Sequence, residues 1–198
     1  MRADFPVVLD ACVLANFPVC DLLLRLAEAP RLYLPKWSST LLDEMQRTQK
    51  DKLHWAPHIS DSMRAMMEQE FPEALVAGHE KFEPVVAVDD KDRHVAATAI
   101  HAKAEVIVTF NLRHFPAEAL AEHEIVARHP ADFLMTLHGM EPAIVVQRLH
   151  EIAAKRKKTV EDVAIGLGRF VPAFVTQVAE SLGWDLNSGG GDLYADEL

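Results

Sequence analysis

The chain alternates short apolar runs, which suit buried strands, with longer stretches whose apolar residues recur at helical spacing. "VVLD" at 7–10 reads as a first strand that ends on a carboxylate. "VLANFPVCDLLLRLAEAP" at 13–30 carries a helical stripe and stops at Pro30. "RLYLP" at 31–35 is a second strand, and "SSTLLDEMQRTQK" at 38–50 an amphipathic helix with Ser38 and Ser39 as N-cap candidates. A helix is predicted from Pro57 to Gly78, where Met63, Met66, Met67 and Phe71 line one face and read as core filler rather than a cofactor site. "FEPVVAV" at 82–88 is the predicted third strand, running into the alanine-rich helix "DDKDRHVAATAIHAKAE" at 89–105. "VIVTFN" at 106–111 is a fourth strand suited to the middle of a parallel sheet, and "EIVAR" at 124–128 a fifth, followed by the helical "PADFLMTL". Strand alternating with helix predicts an α/β fold with a doubly wound parallel sheet over residues 1–137. From 138 to 183 the pattern holds helices only, an appended helical extension, and the Gly-rich acidic stretch 184–198 reads as a flexible tail.

Ligands of such sheets sit outside the carboxyl ends of the strands, where the strand order reverses. That rule gathers Asp10 from the first strand, Asp89 and Asp90 after the third, and Asn111 after the fourth, with Glu44 and Asp92 from adjoining helices. Each acid taken alone is equally an N-cap or a complement to a helix dipole. Asp10, Glu44 and Asp92 together in one pocket would repel, and a hard divalent cation, Mg²⁺ or Mn²⁺, is what relieves that repulsion. Phosphodiester hydrolysis is the chemistry such a site suits. The formal net charge of -10 speaks against indiscriminate polyphosphate binding, yet it is compatible with a local site reached through a metal. The two cysteines, Cys12 and Cys20, lack any zinc or disulfide spacing and read as reduced, buried thiols.

"VLDACVL" at 8–14, "WSSTLLDEMQR" at 37–47, "DDKDRHVAATAI" at 89–100 and "VTFNLRHFP" at 108–116, with "HPADFL" after them, together resemble the PIN domain, the ribonuclease domain of VapC-type toxins in type II toxin–antitoxin pairs. The helices from "GMEPAIVVQRL" onward resemble the C-terminal extension of a subgroup of that family. The resemblance implies a three-layer α/β/α fold and a Mg²⁺- or Mn²⁺-dependent endoribonuclease. Asp10 and Asp92 would be the central metal ligands, Glu44 the acid borne on a helix, and Asn111 would stand where many relatives carry a fourth acid. Thr109 would brace the site, while Arg93 and Arg113 would touch the RNA. The chain departs from the family at Cys12, often an Asn there, at Asn111, and at His114, often an acid.

"KRKK" at 155–158 is the one dense basic run, and with "TVEDVAIGLGRFVPAFV" after it has the flavour of a helix-turn-helix. It carries the alternative reading, a non-catalytic nucleic-acid-binding or regulatory module; its plain reading is a solvated helix end. A 5′-nuclease-like enzyme acting on DNA is a third, weaker reading of the same acids. His94 and His101 read as solvated or core-edge side chains. Apolar positions in the first and extension helices, Leu22, Leu23, Leu26, Val145, Val146 and Leu149, either pack within the monomer or meet a second copy or an antitoxin helix. An RNA substrate, a cognate antitoxin and a homodimer are the expected partners. No membrane contact and a cytoplasmic location are expected, since no apolar run approaches the roughly 20 residues of a span.

Overall fold

The computed structural model describes residues 5–184, so the predicted tail lies outside the described residues from 185 onward. Strand β1 (Pro6–Leu9) leads through α1 (Ala11–Leu14) and α2 (Phe17–Ala27) to β2 (Leu34–Lys36). The predicted first helix is thus two, parted at Asn16, whose side chain caps α2 by accepting from the Val19 amide at 3.3 Å while Pro18 occupies its first turn. Helix α3 (Ser39–Arg47) is capped by Ser38 and widens into a π-helical turn over Thr48–Lys52. Then come α4 (Pro57–Glu70), two short 3₁₀ turns at Pro72–Ala74 and Glu80–Val85, and a third at Asp90–Asp92 that feeds α5 (Arg93–Ala102). Strand β3 (Val106–Val108), α6 (Ala117–Ala121), β4 (Val126–Arg128) and α7 (Pro130–Met140) follow, and α8 (Pro142–Arg156), α9 (Val160–Gly168) and α10 (Pro172–Leu182) close the described chain.

The fold is α/β, built on a four-stranded parallel sheet in the order β2-β1-β3-β4. The predicted third strand, "FEPVVAV", is absent from it. Pro84, which has no N–H to give a ladder, sits inside the 3₁₀ turn instead, and Val85 is 57% exposed. "VIVTFN" and "EIVAR" therefore supply the third and fourth strands of the sheet.

Because β1 steps to β2 in one direction and β2 crosses to β3 in the other, right-handed crossovers put α2 and α5 on opposite faces. On the α2 side Phe5, Tyr33 and Phe133 pack edge to face, with Tyr33 donating to the Leu23 carbonyl at 2.9 Å. Nearly every side of α2 is apolar and buried, so it must be covered away from the sheet as well. Helix α8 packs there, and its Val145, Leu149 and Ile152 join the same contiguous core as Val7 and Leu9.

Between α7 and α10, buried His138 holds Gln177 at 2.9 Å and Ser181 at 3.3 Å through its two ring nitrogens, and burial keeps the imidazole below its usual pKa. The unfolded chain takes up a proton near 6.5 that the folded ring resists, so this stabilisation is full above that pH and drains away as pH falls through it. The unfolding free energy of wild type should consequently fall more between about pH 7.5 and 5 than that of His138→Gln; urea titrations at the two pH values measure the difference.

Candidate active site

The reversal of strand order lies between β1 and β3, and the carboxyl ends of these two strands open the crevice where α/β sheets bind ligands. Asp10 stands there, held rigidly. Its amide donates to the Val108 carbonyl at 3.0 Å, and its own carbonyl accepts from Val13 and Leu14 at the start of α1. The side chain is 7% exposed and accepts two bonds on Oδ2, from the Thr109 hydroxyl at 2.6 Å and the Cys12 thiol at 3.1 Å. Thr109, fully buried at the tip of β3, accepts in turn from the Asn111 amide at 3.0 Å. A carboxylate with two donors fixed on one oxygen keeps its orientation without help from solvent.

Asp92 ends the 3₁₀ turn at the head of α5. Burial, reinforced by the charge of Asp10, pushes its carboxyl above the ordinary range against the pull of His114 and Lys91. His114 Nδ1 lies 3.3 Å from Asp92 Oδ2, yet both atoms are buried without a hydrogen bond. Arg113 Nε donates to the other ring nitrogen of His114 at 3.3 Å, which leaves Nδ1 to carry the proton facing Asp92.

Glu44, on α3, sets Oε2 3.1 Å from Nε2 of His94 on α5. Burial works against charge on that ring, but the bond and charge of Glu44, with a further pull from Asp10, outweigh it and hold the imidazole above its usual pKa. Glu44 is thus engaged by a histidine. Arg93 is turned into its own loop, 2.9 Å from Asp90 and 3.4 Å from the Val88 carbonyl, and Arg113 is exposed.

The crevice therefore assembles Asp10, Thr109, Asp92 and the backbone of Asn111, with the Glu44–His94 pair electrically coupled to it. Among the described residues no group of three His, Cys, Asp or Glu is arranged around a metal position. Two residues carry more of the site than their sequence reading gave them. Cys12 is not a buried thiol indifferent to chemistry but a donor to Asp10, and it also accepts from the Phe110 amide at 3.4 Å. His94, read as a core-edge side chain, is the partner of Glu44. The spacing Asp10–Cys12 was visible in the sequence; the fifty-residue separation of Glu44 and His94 gave no signal at all.

Burial and then the Asp10 charge push the Cys12 thiol up to about 12. At pH 8 it stays protonated and is a poor nucleophile. Alkylation of Cys12 by iodoacetamide, followed by peptide mass spectrometry, should be slower by on the order of 10³-fold than that of a free thiol, and Asp10→Asn should speed it.

A cavity of about 460 Å³ lined by Phe5, Glu105, Val106, Val126 and Phe133 opens at the amino ends of β3 and β4, the rim opposite the aspartates. It is the wrong end of the sheet for the chemistry.

A stretch of 45 residues is 60% identical to a protein of Mycobacterium tuberculosis (strain ATCC 25618 / H37Rv) named "Putative ribonuclease VapC50". The matched stretch spans 23% of this chain and 27% of that protein, so the likeness is a partial one. No family model and no solved structure matches the chain. Among the described residues no helix is long and apolar enough to cross a membrane.

Proposed function

We propose that the protein is a metal-dependent endoribonuclease, the toxin of a type II toxin–antitoxin pair, whose site is the crevice between β1 and β3. The observation that carries this reading is the pair Asp10 and Asp92: two carboxylates from distant parts of the chain, close enough for one to raise the pKa of the other, at the switch point of a parallel sheet. The partial likeness to a ribonuclease and the family motifs agree with it.

The donor set suits a hard cation. Asp92 Oδ2 is buried with His114 Nδ1 3.3 Å away but no hydrogen bond formed, and both donors to Asp10 converge on one of its oxygens. Mg²⁺ keeps most of its waters and is commonly held by one or two carboxylates plus substrate phosphate, so Asp10 and Asp92 suffice for one ion. Bound there, Mg²⁺ or Mn²⁺ supplies Lewis-acid charge against the phosphate and a water of lowered pKa. Asn111 and Glu44 flank the pair, Asn111 as a neutral ligand or a donor to phosphate and Glu44 as an acid held back by His94. Thr109 fixes the Asp10 rotamer, and His114 shields Asp92 from bulk water. Arg113, exposed on the turn after β3, would meet the RNA backbone, and Arg93, at the head of α5, would do so only by leaving Asp90. An antitoxin that placed a basic side chain between Asp10 and Asp92 would silence the enzyme by neutralising them.

Thermal unfolding with Mn²⁺ tests the reading cheaply. Saturation at about 100 times Kd should add about 2.7 kcal/mol of stability, and Asp10→Asn should abolish that gain. RNA cleavage by the purified chain should appear with Mg²⁺ or Mn²⁺ and vanish with EDTA; cleavage that persists in EDTA would end the metal assignment.

A further inference from the structure

At the far end of the α1–α3 layer, Phe17 and Trp55 meet edge to face with centroids 5.9 Å apart, and the guanidinium of Arg156 lies 5.2 Å over the Phe17 ring. Phe17 is 42% exposed although it opens a helix that is otherwise buried. Arg156 is held in place by Asp21 at 2.9 Å, so the planar cation is presented in one orientation. Lys155 and Lys157 are exposed beside it, and Lys52 is exposed on the turn leading to Trp55. In a chain of net charge -10, this pair of rings carries a cation on one face and has exposed lysines adjoining it in the chain.

The patch is tied to the acidic crevice through the chain, since only the short α1 and two further residues separate Phe17 from Asp10, a reach of at most about 25 Å. The four-residue α1 joins Asp10 to α2, where Phe17 begins, and packs against α3. Helix α3 carries Glu44 and, one turn on, the exposed Arg47, before the π-helical turn delivers Trp55 onto Phe17. A strand whose scissile phosphate sits at Asp10 and Asp92 can run along this layer to the aromatic pair. Unpaired bases stack on aromatic and guanidinium planes, and phosphates are taken up by flanking lysines. Here a guanidinium already lies over an exposed aromatic ring, with exposed lysines on either side of it in the chain.

We infer that Phe17, Trp55 and Arg156, with Lys155 and Lys157, form a stacking platform for the single-stranded RNA that flanks the cleaved bond. The helical extension thereby supplies a substrate-binding cation, Arg156, to an aromatic residue of the sheet-bearing part. This rests on the proposed function for the identity of the strand, and its binding is separable from the chemistry.

The test is fluorescence anisotropy of a labelled, mixed-sequence single-stranded 20-mer RNA with the full chain in EDTA, where cleavage does not intervene. Phe17→Ala should weaken binding about fivefold to a hundredfold, the loss of one stacked base. Phe17→Leu, which keeps apolar bulk at that position, should weaken it as well and guards against a folding defect. The double variant Lys155→Gln/Lys157→Gln should lower the slope of log affinity against log salt by about 1.4. Duplex RNA of the same sequence should bind at least about tenfold more weakly, since paired bases offer no free face. Unchanged affinity in both Phe17 variants, an unchanged salt slope, equal binding of duplex, or no binding by wild type would each overturn the platform. Asp10→Asn should keep or tighten binding while losing cleavage. If instead that variant still cleaves, the nuclease site is wrong whatever the Phe17 variants show; if it loses cleavage and the Phe17 variants bind normally, the platform alone is wrong.

Discussion

Asp10→Asn is expected to lower RNA cleavage by on the order of 10³-fold while the protein stays folded. Asparagine keeps an oxygen for the Thr109 hydroxyl and the Cys12 thiol, so the two buried donors remain partnered, and it removes a charge that raises the free energy of ionised Asp92. The variant should therefore melt within about 1 kcal/mol of wild type in the absence of metal. Asp10→Ala is a harsher change. It leaves the fully buried Thr109 hydroxyl only the weak partner Cys12 Sγ at 3.5 Å, a loss of about 1–3 kcal/mol. Loss of activity in the alanine variant thus mixes chemistry with a local collapse, whereas the asparagine variant isolates the charge. Single-turnover cleavage beside calorimetry of both variants separates the two contributions, and an asparagine variant that still cuts RNA at the wild-type rate would remove Asp10 from the site.

The contrast between these variants marks where sequence reasoning reached and where it stopped. Alternation of strands and helices carried the parallel sheet, the switch-point rule put Asp10 at its carboxyl rim, and the family resemblance put Thr109 beside it. It erred at "FEPVVAV", because an apolar run with β-branched residues looks like a strand whether or not a proline inside it forbids the ladder, and Pro84 was the signal to weigh. Partnerships were less legible than positions. That His94 takes Glu44, that His114 faces Asp92, and that Cys12 donates to Asp10 all depend on rotamers and helix rotation, which residue spacing does not encode. The break inside the first helix was legible in principle, since Asn16 followed by Pro18 is a cap followed by a first-turn proline.

The same limit applies to the predicted boundary at 137, where the pattern of elements changes but the core does not. A chain ending after Leu137 is expected not to fold. Helix α2 buries Val19, Cys20, Leu22, Leu23, Leu24 and Leu26, too many faces for the sheet alone to cover, and α8 packs against it. Arg148 of α8 is 6% exposed and donates to the Ala29 carbonyl at 2.8 Å, just past the end of α2, while Arg156 reaches Asp21 at 2.9 Å. Val145, Leu149, Ile152, Phe174 and Val175 are buried in the core cluster shared with the strands. At about 1.5–3 kcal/mol for each large apolar side chain, removing them forfeits on the order of 10 kcal/mol, about the whole stability of an ordinary domain. Leu149→Ala alone should cost about 2–5 kcal/mol through the cavity it leaves. Urea unfolding followed by circular dichroism checks both. A cooperative transition in the chain 1–137 would mean that the extension is an appendage; its absence, together with a lowered midpoint for Leu149→Ala, would mean that α8 completes the face of the fold whose first helix follows directly from Asp10.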